Sequence, residues 1–225
     1  MTMSRTIYVT GFGPFAGHEE RNASWEAVKL LPDTYHHKNV EYRVKKLEIP
    51  VTYEAVDAVV PKIWNENPAV CSVVVGFDPV NLMRVFTLQL VIHVGVHGRI
   101  ETINLEKCSY SSGYCRPDFA NKCLPCDKIS LKSATAEGKC EYLETSLDVE
   151  AIARELDAVK CQCSREVGSY LCGYIYLKSL DVDRDRTLFI HVPGIGKPYS
   201  SEQTKDAIYQ VMDRCIRQLD SKGML

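Results

Sequence analysis

Leu88-Gln-Leu-Val-Ile-His-Val-Gly-Val96 is the stretch that decides the fold. Apolar, mostly β-branched residues occupy both parities of the run, so neither face is marked as wet. That pattern predicts a strand buried on both sides at the centre of a sheet. Upstream of it, Val56, Val59, Val60 and Ile63 recur at helical spacing, while Val40, Tyr42 and Val44 alternate as a strand does. Trp25, Val28 and Leu31 mark an earlier helix that Pro32 closes, and Thr6-Ile-Tyr-Val-Thr10 reads as a first strand running into the loop Gly11-Phe-Gly-Pro-Phe15. Downstream, Glu101-Thr-Ile-Asn-Leu-Glu106 predicts a short strand, and residues 108–145 lack periodicity and are rich in Cys, Lys, Ser and Gly, as a long loop would be. A helix is expected after Asp148 with Val149, Ile152 and Leu156 as its buried stripe, another from Tyr170 to Leu180, and a strand at Thr187-Leu-Phe-Ile-His-Val192. The last helix opens at Ser200, with Gln203 at capping-box distance and Ile208, Val211, Met212, Cys215, Ile216 and Leu219 on one face. Strands alternating with helices along residues 1–225 predict a single-domain α/β fold, a three-layer α/β/α sandwich with a mainly parallel or mixed central sheet.

The 225 residues are 45% hydrophobic and 25% charged, the composition of a globular chain, and the formal net charge of −2 gives no overall attraction to nucleic acid or an anionic membrane. No stretch approaches the roughly 20 apolar residues needed to span a bilayer. Met1-Thr-Met-Ser-Arg-Thr leads directly into the first strand without a secretory apolar core, so a cytoplasmic location is expected. Ten cysteines at uneven spacing, with no secretory signal, then read as reduced thiols.

Among those thiols Cys172 stands out, in Gly168-Ser-Tyr-Leu-Cys-Gly-Tyr-Ile-Tyr176. With a helix starting near Gly168 or Ser169 it falls in the first turn, where free amide groups and the helix dipole favour a thiolate. His191 closes an apolar strand just before Pro193-Gly-Ile-Gly-Lys-Pro-Tyr199, at the sheet edge where ligands of open α/β folds bind, and it suits a general base. Glu106 ends another strand and could orient that base. Phe12 and Phe15, flanking Gly13-Pro14, could clamp a flat ring, and Asn22 could cap the first helix or offer its amide to a ligand. Each position has a plainer alternative: packing for Cys172, His191, Phe12 and Phe15, and a solvated pair with Lys107 for Glu106. His93, inside the central run, is read as structural. Cys115, Cys123, Cys126 and Cys140 form a separate set that could ligate zinc as part of a binding module.

Taken together, these motifs resemble the pyroglutamyl-peptidase I family of cysteine peptidases. The likeness runs through Val9-Thr-Gly-Phe-Gly-Pro-Phe15, Arg21-Asn-Ala-Ser-Trp-Glu-Ala-Val28, Glu48-Ile-Pro-Val51 and Ile92-His-Val-Gly-Val-His-Gly98. It continues in Asn104-Leu-Glu-Lys-Cys108, Ser169-Tyr-Leu-Cys-Gly173, Phe189-Ile-His-Val-Pro193 and Gly196-Lys-Pro-Tyr199, covering nearly the whole chain. The resemblance implies a catalytic triad of Glu106, Cys172 and His191, ring-holding aromatics Phe12 and Phe15, and Asn22 as a polar pocket residue. It implies small peptides with N-terminal pyroglutamate as substrates, a thioester acyl-enzyme, and no metal or cofactor. A catalytically impaired relative of the same fold is the alternative, because residues 69–87, apolar and strand-prone, stand as an insertion between Pro68 and the central run.

Overall fold

The structure, a computed structural model, describes residues 5–15, 20–66, 89–132 and 141–225. The expected insertion at 69–87, Leu88 and Cys140 lie outside the described residues. A seven-stranded sheet runs in the order β2(Thr34–His37), β3(Val40–Ile49), β1(Arg5–Phe12), β4(Gln89–Val96), β9(Thr187–Val192), β5(Ile103–Glu106), β8(Cys161–Ser164). β3, β1, β4 and β9 are mutually parallel, whereas β2 is antiparallel to β3 and β5 is antiparallel to β9, so the sheet is mixed. β4 lies in the middle, and Leu90, Val91, Ile92 and Val94 are wholly buried, which is why its sequence shows no polar face.

Side-chain parity divides the core into two layers. Ile7, Val9, Leu90, Ile92, Val94, Leu188, Ile190 and Val192 pack on one face against α1(Ala23–Val28), α3(Val149–Arg154) and α5(Ser201–Ser221). Tyr8, Phe12, Val91 and Phe189 pack on the other, under α2(Tyr53–Glu66) and α4(Leu171–Leu180). The expected sandwich is the observed one. Ser200 and Gln203 close a capping box at the start of α5, and Asp148 caps α3 through Ala151 N–H at 2.9 Å. Two predicted apolar stripes overrun their helices: Leu31 and Leu156 are buried but follow the last turns of α1 and α3. β5 begins two residues later than its sequence suggests.

The aperiodic excursion after β5 is closed at its neck by an antiparallel pair, β6(Cys108–Tyr110) with β7(Tyr142–Glu144). Within it Asp118, 6% exposed, accepts backbone N–H bonds from Tyr53 (3.0 Å), Ala120 (2.9 Å) and Lys122 (2.9 Å). Phe119 N–H donates to Val51 O at 3.0 Å. These bonds hold the chain from 118 to 122 against the start of α2. Among the described residues no helix is long and apolar enough to cross a membrane.

Candidate active site

Strand parity and register decide which side chains can meet. Even positions of β1 and β5 and odd positions of β4 and β9 face α4, so Phe12, Glu106 and His191 share one layer. In the antiparallel β5–β9 pair Asn104 lies opposite His191, which makes Glu106 its diagonal neighbour on the same face. His191 Nδ1 hydrogen-bonds Glu106 Oε1 at 2.8 Å, with the two residues 2% and 0% exposed. Tyr176 OH donates to the Glu106 carbonyl at 2.8 Å and fixes the end of β5 from α4. Lys107 turns the other way and gives its ammonium to the carbonyls of Thr145 (3.0 Å) and Leu147 (3.2 Å). Glu106 is therefore no solvated partner of its neighbour. Its Oε2 is buried without a hydrogen-bond partner among the described residues.

Cys172 is the second residue of α4. Tyr170 at the N-cap is extended and supplies no side-chain cap, so the first-turn amides are not consumed by one. A Cβ on Gly173 would run into Gly168 O, so only glycine lets the preceding loop lie this close to the first turn. Gly95, paired with His191 across the β4–β9 ladder, makes room for the sulfur: a Cβ there would stand 2.8 Å from Cys172 Sγ. Cys172 lines the same cavity as His191 and is close enough to raise the imidazole's pKa, and since Nδ1 serves Glu106, Nε2 is the nitrogen left for the sulfur. Burial alone would lower the His191 pKa, but the bonds and charges of Cys172 and Glu106 outweigh it and lift it to about 9. Phe189, edge-on at 4.8 Å between ring centroids, closes one side of the imidazole.

A cavity of about 310 Å³ opens beside the sulfur. Phe12, Phe15, Asn22 and Val51 line it together with Cys172 and His191. Phe12 is 4% exposed and Phe15 half-buried, so the two contribute ring surface to the cavity in different measure. Asn22 does both things its sequence allowed. It caps α1, its Oδ1 accepting from Ser24 N (3.0 Å) and Ser24 Oγ (2.8 Å), and its Nδ2 donates to Gly13 O at 2.9 Å. One amide hydrogen is left for the cavity it lines.

His93 has no such outlet. It is 0% exposed between Thr10 Oγ1 and Ser179 Oγ, both at 2.8 Å, and burial pushes its pKa down to about 3, so it is neutral. Sequence reasoning passed over His97, whose ring lies 5.4 Å from His191, and over Arg116, Glu166 and Tyr170 at the cavity mouth. His97 was findable by the rule that selected His191, since it follows the carboxyl end of β4. Burial and the neighbouring His191 charge lower its pKa. Among the described residues no group of three or more His, Cys, Asp or Glu side chains is arranged to hold a metal ion, so Cys115, Cys123 and Cys126 do not form one.

No family model matches the chain. Pyroglutamyl-peptidase 1 of Mus musculus is 31% identical over 220 residues, 96% of this chain and 92% of the mouse protein. The Homo sapiens protein of the same name is 30% identical over 226 residues, 98% and 95% of the two chains. Pyrrolidone carboxyl peptidase from Thermococcus litoralis shares the fold with a TM-score of 0.76 at 19% identity, over 97% of this chain and 96% of that one. Identity of 30–31% sustained over more than nine-tenths of both sequences means that the chain belongs to the pyroglutamyl-peptidase 1 family.

Proposed function

We propose that this protein is a cysteine exopeptidase that hydrolyses the bond after an N-terminal pyroglutamyl residue of small peptides, in the cytosol and without metal or cofactor. The observation that carries the reading is the buried Glu106–His191 pair, whose imidazole reaches Cys172 at the wall of a cavity lined by Phe12 and Phe15. Residues 1–225 act as one domain, with 69–87 an addition to it and 108–145 a loop serving the site. A pyroglutamyl ring is flat, neutral and lacks an α-ammonium group. A small aromatic pocket with one spare Asn22 amide hydrogen suits it.

The steps follow from the positions. Cys172 sulfur, as thiolate, attacks the pyroglutamyl carbonyl carbon and forms a C–S bond, and the electron pair of the carbonyl moves to oxygen. The uncapped first-turn amides of α4 are the near donors for that oxyanion. As the carbonyl re-forms, the C–N bond breaks and His191 gives the departing nitrogen its Nε2 proton, leaving a thioester. His191, now neutral, takes a proton from water, hydroxide attacks the thioester, and pyroglutamate leaves as Cys172 is restored. Glu106 keeps the proton of Nδ1 in place and stabilises the charged ring. A pKa lifted to about 9 means that His191 carries the proton it must donate at neutral pH.

Hydrolysis of a pyroglutamyl aminocoumarin amide tests the reading. The protein is expected to release the fluorophore, and Cys172→Ala to abolish release while keeping the far-ultraviolet circular dichroism of the parent. Turnover surviving in Cys172→Ala would remove the assignment of the nucleophile, and no turnover in the parent would favour the impaired relative.

A further inference from the structure

We infer that Arg116 makes the site selective for a carboxylate on the residue that follows pyroglutamate, an inference that rests on the function proposed above. With the lactam ring at the Phe12 and Phe15 end, the departing peptide must leave through the mouth of the cavity. Of the lining residues, Arg116 and Glu166 are exposed and His97 and Tyr170 half-buried, so these four mark its solvent side. Tyr170 immediately precedes α4, two residues from Cys172, and lines the same cavity. Over its ring, 4.6 Å from the centroid, sits the guanidinium of Arg116. The arginine forms no ion pair with a carboxylate among the described residues, and it lines the cavity.

Arg116 is a held group despite its exposure. Its own carbonyl accepts the Tyr53 hydroxyl at 3.1 Å. Two residues on, Asp118 gathers three backbone N–H groups, and those bonds keep its carboxyl below the ordinary range against the opposing effect of burial. Phe119 ties the same loop to Val51, itself part of the ring-binding end. The excursion thus carries a stacked guanidinium to the cavity that Cys172 also lines, and a planar fork of donors is the side chain best matched to a carboxylate. One extended residue spans roughly 3.3–3.6 Å, so a carboxylate on the first departing residue stays close to the cavity that Arg116 lines. It can be the α-carboxylate of a pyroglutamyl dipeptide or the side chain of an acidic residue. Glu166 borders the same mouth and opposes the anion; its exposed carboxylate is tied by no ion pair among the described residues, whereas Arg116 is held by its loop and by Tyr170.

The experiment compares kcat/KM for substrate pairs differing only in charge: pyroglutamyl-alanine against its amide, and pyroglutamyl-glutamate amide against pyroglutamyl-glutamine amide. The neutral pyroglutamyl aminocoumarin amide is the common reference. The charged member of at least one pair is expected to be favoured by about 3- to 10-fold through KM, the range of an exposed charge-assisted contact, and less so as salt rises. The first pair reports an α-carboxylate and the second an acidic side chain. Arg116→Ala should bring the ratio to one or below, Arg116→Lys should retain part of it, and Glu166→Gln should raise it. A parent enzyme that cleaves the reference amide but shows no charge preference overturns this inference alone, as does a preference that survives Arg116→Ala. A parent that leaves the reference amide intact refutes the proposed function and this inference with it.

Discussion

Gly95→Ala is the substitution that most directly probes how the sheet makes room for the nucleophile. The added methyl carbon would stand 2.8 Å from Cys172 Sγ and 2.8 Å from Phe189 Cζ. Non-bonded carbon contacts are comfortable at about 3.5–4.0 Å, so the overlap is roughly 1 Å on both sides. Phe189 cannot withdraw: it is 0% exposed and packed against Tyr176 and His191 at centroid distances of 5.7 and 4.8 Å. The sulfur can turn away only by giving up His191. Overpacking of this kind costs about 1–3 kcal/mol, which in a chain of this length lowers Tm by about 2–12 °C. Displacing a reacting atom by about 1 Å costs on the order of 100-fold in rate. The assay is kcat/KM on the aminocoumarin amide, with the second-order rate of Cys172 alkylation by iodoacetamide and a thermal melt alongside. Turnover, alkylation and Tm all within error of the parent would show that the sulfur does not rest against β4, and the packing argument would fail.

Replacing Glu106 by Gln removes the carboxylate that helps hold the His191 proton, so the alkaline limb of the kcat profile should move down by about 1–3 pH units. The sign for stability follows from the same raised pKa: the His191 contribution is complete below its unfolded value near 6.5 and lost as pH rises through about 9, a loss that Glu106→Gln should blunt in melts taken across that window. Phe15→Ala, at a half-buried ring, should raise KM for pyroglutamyl amides by roughly 5- to 10-fold, the worth of an aromatic contact of about 1 kcal/mol, with little change in Tm. Phe12→Ala also opens the core and should cost about 3–5 kcal/mol of stability, so Phe12→Leu is the variant in which a rise in KM separates recognition from folding. Unchanged KM in both Phe15→Ala and Phe12→Leu would make the two rings plain packing.

The fold was legible where burial writes a long pattern. β4 betrayed itself because both of its faces are dry, and α5 because its cap and its apolar stripe agree. β2, β6, β7 and β8 left no comparable trace, each being three or four residues long at a sheet edge or in a two-stranded ribbon. Cys161-Gln-Cys-Ser164 is half-buried along most of its length, so its sequence carries little of the contrast that marks a strand. Strand order and the antiparallel setting of β5 are long-range facts that no local window contains. Of the site, His191 and Glu106 were visible as polar residues ending apolar strands, and Cys172 through its place before a helix. Arg116 was not, because the loop that aims it is organised by Asp118 and by bonds to Val51 and Tyr53, some 60 residues away in the chain.

His93 and His191 show why position along a strand, rather than residue type, makes the site. Both occupy odd positions of neighbouring parallel strands and face α4, and β4 and β9 place His93 beside Phe189 and Gly95 beside His191. One step of the pleat therefore separates the levels of the two rings. At the inner level every neighbour is a side chain: Thr10 and Ser179 take both nitrogens of His93, and the ring stays neutral and closed off. At the outer level β4 contributes Gly95, which has no side chain, and the vacated volume is filled by the sulfur of Cys172. β5 ends at that level with Glu106, and β1 ends near it with Phe12, so Cys172, His191, Glu106 and one lining ring of the cavity all come from element ends. Moving His191 inward by two residues would leave every strand intact and yet bring it to the level of His93, away from Gly95 and the sulfur. The candidate site lies where the sheet stops packing against itself, and burial of Glu106 and His191 keeps water from competing for the bond between them.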